Sequence, residues 1–139
     1  MGKSIVDAMS KNPCAIEADR SVAYAAKMLK DENVGLAPIV EKDRLVGVLT
    51  DRDIVVRVVA EGKDPDSVRV RDVASRDVVT VDPKQDLDEA LKLMARHQVR
   101  RLAVVEEDGK LLGVVAQADV AEEAKPEQTG RLVGEISKD

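Results

Sequence analysis

Gly47-Val48-Leu49-Thr50-Asp51-Arg52-Asp53-Ile54 is an apolar run that ends in a threonine and an acid-rich turn. With Leu45 and Val46 ahead of it, the run predicts a strand. Ile54, Val55, Val58 and Val59 after it predict a helix that ends at Gly62. A strand feeding a helix N-terminus presents unpaired backbone N–H groups and a positive dipole end, both of which favour an anion. Thr50 offers a hydroxyl and Asp53 a carboxylate, a pair able to grip two adjacent hydroxyls of a ribose, and Arg52 is placed to reach a phosphate. Thr-x-x-Asp ahead of an apolar run is also a capping box. The two roles are compatible. The β-branched content of the helix suits exposure poorly, so tertiary burial is expected to hold it.

Upstream, Leu36 to Val40 and Leu45 to Leu49 form a hairpin around the polar turn Glu41-Lys42-Asp43-Arg44. Ser21 is the N-cap of a helix through Asn33, with Val22, Ala25, Ala26 and Leu29 on one buried face. Val6-Asp7-Ala8-Met9 opens the ordered chain, and Asn12-Pro13 turns into a short extended piece, Cys14-Ala15-Ile16. Downstream, Asp64-Pro65-Asp66-Ser67 is a linker.

The pattern then comes round again. Adding 65 takes Asp7 to Asp72, Val22 to Leu87, Ala25 to Ala90, Ala26 to Leu91, Leu29 to Met94, Val34 to Val99, Leu36 to Arg101 and Val40 to Val105. Ser21 becomes Asp86, with Glu89 to complete a capping box. The second hairpin is one residue longer and turns at Asp108-Gly109, so that 66 then takes Gly47 to Gly113, Thr50 to Ala116 and Asp53 to Asp119. The expected fold is α/β (α+β), a β-α-β-β-α repeat used twice and packed sheet against sheet, since neither half buries its apolar faces alone. Residues 1–66 make the first repeat with its linker, 67–124 the second, and 125–139 a C-terminal tail. Lys125-Pro126 opens that tail and Thr129 to Ile136 predicts one short helix.

Composition narrows the function. The 139 residues are 44% apolar and 35% charged, as in a soluble globular protein. Phe and Trp are absent and Tyr24 is the only aromatic, which leaves a core of Val, Leu, Ile, Ala and Met and no stacking platform for single-stranded nucleic acid. A net charge of −5 without a basic block argues against a phosphate-backbone partner. No apolar run approaches the ~20 residues of a membrane span, and no signal peptide is visible. A single cysteine, Cys14, excludes an intrachain disulfide and suits the cytoplasm.

The twofold pattern resembles a tandem pair of cystathionine β-synthase (CBS) domains, a Bateman module. The residues that carry the resemblance are Asp7-Ala8-Met9, Gly35-Leu36-Ala37-Pro38-Ile39-Val40 and Gly47 to Ile54 in the first half. In the second half they are Val70-Arg71-Asp72-Val73, His97 to Val105 and Gly113-Val114-Val115-Ala116-Gln117-Ala118-Asp119. The chain is most similar to the small stand-alone CBS-pair proteins, including those of the hypoxic (stress) response, which lack an attached catalytic domain. The resemblance implies pseudo-twofold symmetry and an adenosine-containing ligand (AMP, ADP, ATP, in some members S-adenosylmethionine or NAD) in clefts between the repeats. It gives the ribose to Thr50 and Asp53, and the adenine to Ala15, Ile16, Ala37 and Pro38. Phosphates would meet Arg52 and the other repeat's Arg100 and Arg101. In the second repeat Ala116 lacks the hydroxyl and Ala103 replaces Pro38, so that site keeps only Asp119 at the motif. Ala116 also cannot cap a helix through its side chain. If a helix still starts there, the threonine is dispensable for capping, and ribose binding gains at Thr50.

The expected function is a regulatory adenine-nucleotide sensor with one good site per chain, needing no further cofactor. The alternative is an adaptor for an unidentified protein partner, its clefts vestigial. An enzyme would need a nucleophile or base over the phosphates, or a Gly-x-x-x-x-Gly-Lys loop, and neither is present. His97 is the only histidine, with no second ligand nearby for zinc. Cys14 has no basic neighbour to make it a nucleophile. Four helices rich in Val, Ala, Leu and Ile exceed what so small a chain hides, which predicts a homodimer.

Overall fold

In chain order the elements are α1 (Ile5–Ala8), β1 (Ile16–Glu17), α2 (Val22–Glu32), β2 (Leu36–Glu41), β3 (Arg44–Thr50), α3 (Asp51–Ile54) and a π-helical turn, Val55–Val59. Then follow α4 (Val70–Val73), β4 (Thr80–Val81), α5 (Leu87–His97), β5 (Arg101–Val105), β6 (Leu111–Ala116) and α6 (Gln117–Glu123). The structure, a computed structural model, describes residues 4–11 and 14–123. The turn at Asn12-Pro13, the Lys125-Pro126 opening and the helix over Thr129 to Ile136 lie outside the described residues.

The elements form two three-stranded sheets, β1-β2-β3 and β4-β5-β6, each with one parallel and one antiparallel pair. The repeat is exact down to register. Ile16 lies beside Ile39 and Val81 beside Val104, Leu36 faces Thr50 and Arg101 faces Ala116, and both hairpins bulge at Ile39/Val40 and Val104/Val105. Helix α2 starts on Ser21, whose hydroxyl accepts the Tyr24 N–H, and ends on left-handed Asn33; α5 starts on Asp86, which accepts the Glu89 N–H, and ends on left-handed Gln98.

By contacts the chain divides into two compact units, and these are not the sequence repeats. One holds β1 through α4, up to Val78. The other holds α1, up to Lys11, together with β4 through α6 from Val79 on. Each one-turn helix thus opens one repeat in sequence and completes the core of the other. Val70 and Val73 of α4 pack with Ile16, Val22 and Leu49, whereas Ile5 of α1 packs with Leu91, Met94 and Val104. Residues 64–67, expected as a linker, are anchored inside the first of these units. The Ala23 N–H donates to the Pro65 carbonyl at 3.0 Å and the Val22 N–H to the Val68 carbonyl at 2.9 Å.

Two expectations about helix faces change. Leu87, Ala90, Leu91 and Met94 of α5 are all buried, but of the corresponding α2 residues Ala26 is exposed: its methyl falls short of the core of its unit, where Leu91 enters the core of its own. The helix after Thr50 was expected to be held by burial. Instead Val55, Val56 and Val59 are 57%, 47% and 63% exposed and only Val58 is buried. The segment takes the wider π coil, in which the Ala60 N–H reaches the Val55 carbonyl at 2.8 Å.

Candidate functional site

Strand β3 delivers Thr50 to the start of α3 in extended conformation, and the two candidate ribose residues meet there as a complete capping box. The Thr50 hydroxyl accepts the Asp53 N–H at 3.0 Å, and Asp53 Oδ2 accepts the Thr50 N–H at 3.0 Å. Both side chains are only partly buried. The cap takes one lone pair of the hydroxyl and one carboxylate oxygen, and leaves the hydroxyl proton and Asp53 Oδ1 for another group. Arg57 Nε stands 3.9 Å from that Oδ1. Arg52 is exposed beside the corner. Its backbone N–H is held by Asp51 Oδ1 at 2.8 Å.

The other candidates of this unit surround a gap in its sheet. Strand β1 pairs with only Ile39 and Val40, which leaves Leu36, Ala37 and Pro38 of β2 without a β1 partner. Pro38 has no N–H to donate, so its place in the middle strand is tolerable at this gap. Ala15, half-buried, precedes β1 on the same side. The side chains of Ile16 and Ala37 are fully buried in the core with Val22 and Leu49, because alternation along a strand sends these positions inward. What they offer a ligand is backbone.

In the other unit the equivalent corner is half built. Asp119 Oδ2 accepts the Ala116 N–H at 3.4 Å, and Ala116 returns nothing. Helix α6 nevertheless starts at Gln117, so the threonine is dispensable to the helix in this repeat. The Gln117 N–H donates to the Arg100 carbonyl at 2.7 Å. The side chains of Arg100 and Arg101 are exposed. The described geometry therefore brings Ala15, Ile16, Ala37, Pro38, Thr50, Arg52 and Asp53 into one unit, and Arg100, Arg101 and Asp119 into the other.

Sequence reasoning passed over two features. One is a groove of about 510 Å³ walled by Ala26, Leu29, Lys30, Gly35, Asp51, Ile54 and Val55. Its signal was the Ala26–Leu91 difference between the repeats. The other is Arg57, whose Nη1 donates to the Val73 carbonyl at 3.1 Å. The contact joins residues 16 apart and has no local pattern to betray it. Cys14 is half-buried; its desolvation, then the nearby Glu32 charge, raises its pKa and keeps it a thiol at neutral pH. His97 ends α5, exposed, where a cation suits the helix dipole. Among the described residues no three His, Cys, Asp or Glu gather as metal ligands.

Comparison with known proteins adds to this geometry. The family model for the CBS domain matches twice, at residues 3–60 and 70–125. The chain is 37% identical over 135 residues to the CBS domain-containing protein YhcV of Bacillus subtilis, covering 96% of this chain and 95% of that one. It is 35% identical over 116 residues to Hypoxic response protein 1 of Mycobacterium tuberculosis, covering 83% and 80%. Among solved structures, Hypoxic Response Protein I with two coordinated zinc ions superposes with a TM-score of 0.79 at 33% identity, over 88% of this chain and all of that one. The CBS domain pair of protein MJ0100, in complex with 5-methylthioadenosine and S-adenosyl-L-methionine, gives 0.72 at 26% identity, over 86% and 98%.

Proposed function

The chain belongs to the CBS-domain family as a tandem pair, and from that premise we propose that it is a regulatory module binding an adenosine-containing ligand at the Thr50–Asp53 corner. The observation that carries the reading is the unspent chemistry of the capping box. A ribose diol can accept from the Thr50 hydroxyl proton and donate to Asp53 Oδ1 without breaking either backbone bond. Ala15 and the backbone at Ala37 and Pro38 border the part of β2 that β1 leaves unpaired, the place the family resemblance gives to the base, and Arg52 is the phosphate candidate on this unit. Arg100 and Arg101 are further phosphate candidates that rest on the family resemblance. The MJ0100 pair supports the class of ligand, since its two bound molecules share the adenosine moiety. AMP, ADP and ATP are the proposed ligands, and the protein acts as a cytoplasmic homodimer that binds without turnover.

Isothermal calorimetry against AMP, ADP, ATP, S-adenosylmethionine and methylthioadenosine tests the reading. One equivalent bound per chain is expected for at least one of them, with ATP left unhydrolysed. Heats at the dilution level for all five sink it and leave the adaptor reading, which the exposed Val55, Val56 and Val59 favour as a protein-contact surface.

A further inference from the structure

Arg57 sits in the middle of the π turn and touches two elements at once. Its Nε faces Asp53 Oδ1 at 3.9 Å, and its Nη1 donates to the carbonyl of Val73 at 3.1 Å. Val73 is the last residue of α4, so this carbonyl is one of those a helix end leaves without an internal partner. Oδ2 thus accepts the Thr50 N–H, while Oδ1 faces the guanidinium at ion-pair distance and keeps its lone pairs for a ligand. As an ion pair the contact is weak, with Arg57 51% exposed, and such pairs add little stability. Its meaning is geometric. A planar guanidinium fixed at Nη1 by the Val73 carbonyl keeps its Nε edge turned to Asp53 in one orientation, which a lysine ammonium does not.

What lies at the far end gives the contact a use. Helix α4 is tied into this unit by the Val70 N–H to the Arg20 carbonyl at 2.9 Å. Beyond it, a reciprocal pair joins Ser75 to Val48 of β3 at 2.8 and 2.9 Å. Three residues further on, after Val78, the chain leaves the unit. Arg57 thus links the proposed ligand corner to α4, shortly before the chain leaves the unit.

We propose that Arg57 is a positioning residue that aims Asp53 Oδ1 and couples occupancy of the corner to the order of α4 and the exit segment after it. The inference rests on the corner being the ligand site. A diol hydroxyl on Oδ1 fixes the carboxylate, the fixed carboxylate fixes the guanidinium, and the guanidinium fixes the Val73 carbonyl. The coupling is positive, and by reciprocity anything that orders α4 tightens the ligand.

Hydrogen exchange of the full chain, with calorimetry using AMP, ADP and ATP, tests it. Without ligand, Asp53→Asn and Arg57→Met should each speed exchange at the Ala74 and Ser75 amides by about 5-fold or more. Thr50→Ala, which breaks the cap but spares the Asp53–Arg57 contact, should leave them unchanged. With whichever nucleotide binds, the wild type should slow exchange at these amides. Arg57→Met and Arg57→Lys should both lose that slowing and several-fold in affinity. Retention of the slowing in Arg57→Met, with or without lost affinity, overturns the coupling while the ligand site stands. Equal acceleration by Thr50→Ala reduces Arg57 to a structural contact and also overturns it. A wild type that binds none of the three nucleotides takes down this inference, and the site falls with it only if S-adenosylmethionine and methylthioadenosine also fail to bind. Should Arg57→Met fail to fold, Arg57→Lys carries the same comparison.

Discussion

Thr50 and Ala116 occupy the same position in two copies of one design, and of the hydroxyl and methyl that separate them only the hydroxyl can hydrogen-bond. The hydroxyl caps α3, yet α6 forms without it, so helix formation alone does not require a threonine here. If the corner binds the diol, the two carboxylates part company. Asp53→Ala removes a charged hydrogen bond worth roughly 1.5–3 kcal/mol and should weaken nucleotide binding on the order of 10- to 150-fold. Asp119→Ala should leave binding near wild type. Both variants lose a carboxylate that receives a backbone N–H, at 3.0 Å for Asp53 and 3.4 Å for Asp119, so each costs stability, about 0.5–2 kcal/mol at most. Calorimetry beside ligand-free thermal melts separates the losses; equal weakening by the two variants, with folding intact, would place the ligand elsewhere. At this scale the capping pair was legible because it is an i, i+3 pattern of residue types. The inward turn of Ile16 and Ala37 was not, since a two-residue strand is too short for a period and the apolar run Leu36 to Val40 does not say which face is covered.

Each element is shaped by what approaches it. Gly47 sits in β3 with ordinary strand geometry, so turn chemistry does not require it. A Cβ built there would stand 2.7 Å from the Ser75 carbonyl, which the Val48 N–H binds at 2.9 Å. Gly113 repeats the arrangement in β6, where the Cβ would run into the Ser10 carbonyl. In both units the segment leaving a one-turn helix lies down against the third strand, and the glycine makes room for its backbone. Gly47→Ala and Gly113→Ala should each destabilise the fold by about 1–3 kcal/mol, the usual range for an atom forced into a packed site. Urea titration reads this directly. A midpoint unmoved by both changes would mean that these segments are loosely held. The recurrence of the glycines at one offset was plain in the sequence, but their purpose waited for the segments that cross them. The π turn was hidden for a different reason: valine crowding weakens an α-helix without naming the coil that replaces it.

For the whole molecule, the repeat decided most of what could be read. Two sets of matching positions specified two three-stranded sheets, the α5 face, the α2 face apart from Ala26, and both hairpins, because one hydrophobic pattern must satisfy the same packing twice. The exchange of the one-turn helices between units left no such mark, since α1 and α4 carry nearly the same apolar pair and suit either core. The remaining surface sets the last expectation. Val55, Val56 and Val59 stand more than 45% exposed on one turn, and Val55 also walls the 510 Å³ groove opened by Ala26. So concentrated an apolar face is unusual on a monomer. A second copy offering the same valines about a twofold axis would cover it in a self-complementary contact. The intact protein should therefore scatter light as a dimer at tens of micromolar, and Val55→Glu should shift it to monomer, since a carboxylate buried at a twofold axis would face its own symmetry mate. Nucleotide affinity should survive in that monomer, because Val55 and the Thr50–Asp53 pair use different sides of the chain's chemistry, one apolar and one hydrogen-bonding. A wild type that already scatters as a monomer removes the dimer from the proposal. A Val55→Glu variant that stays dimeric moves the interface off this face and leaves the valines in want of another partner.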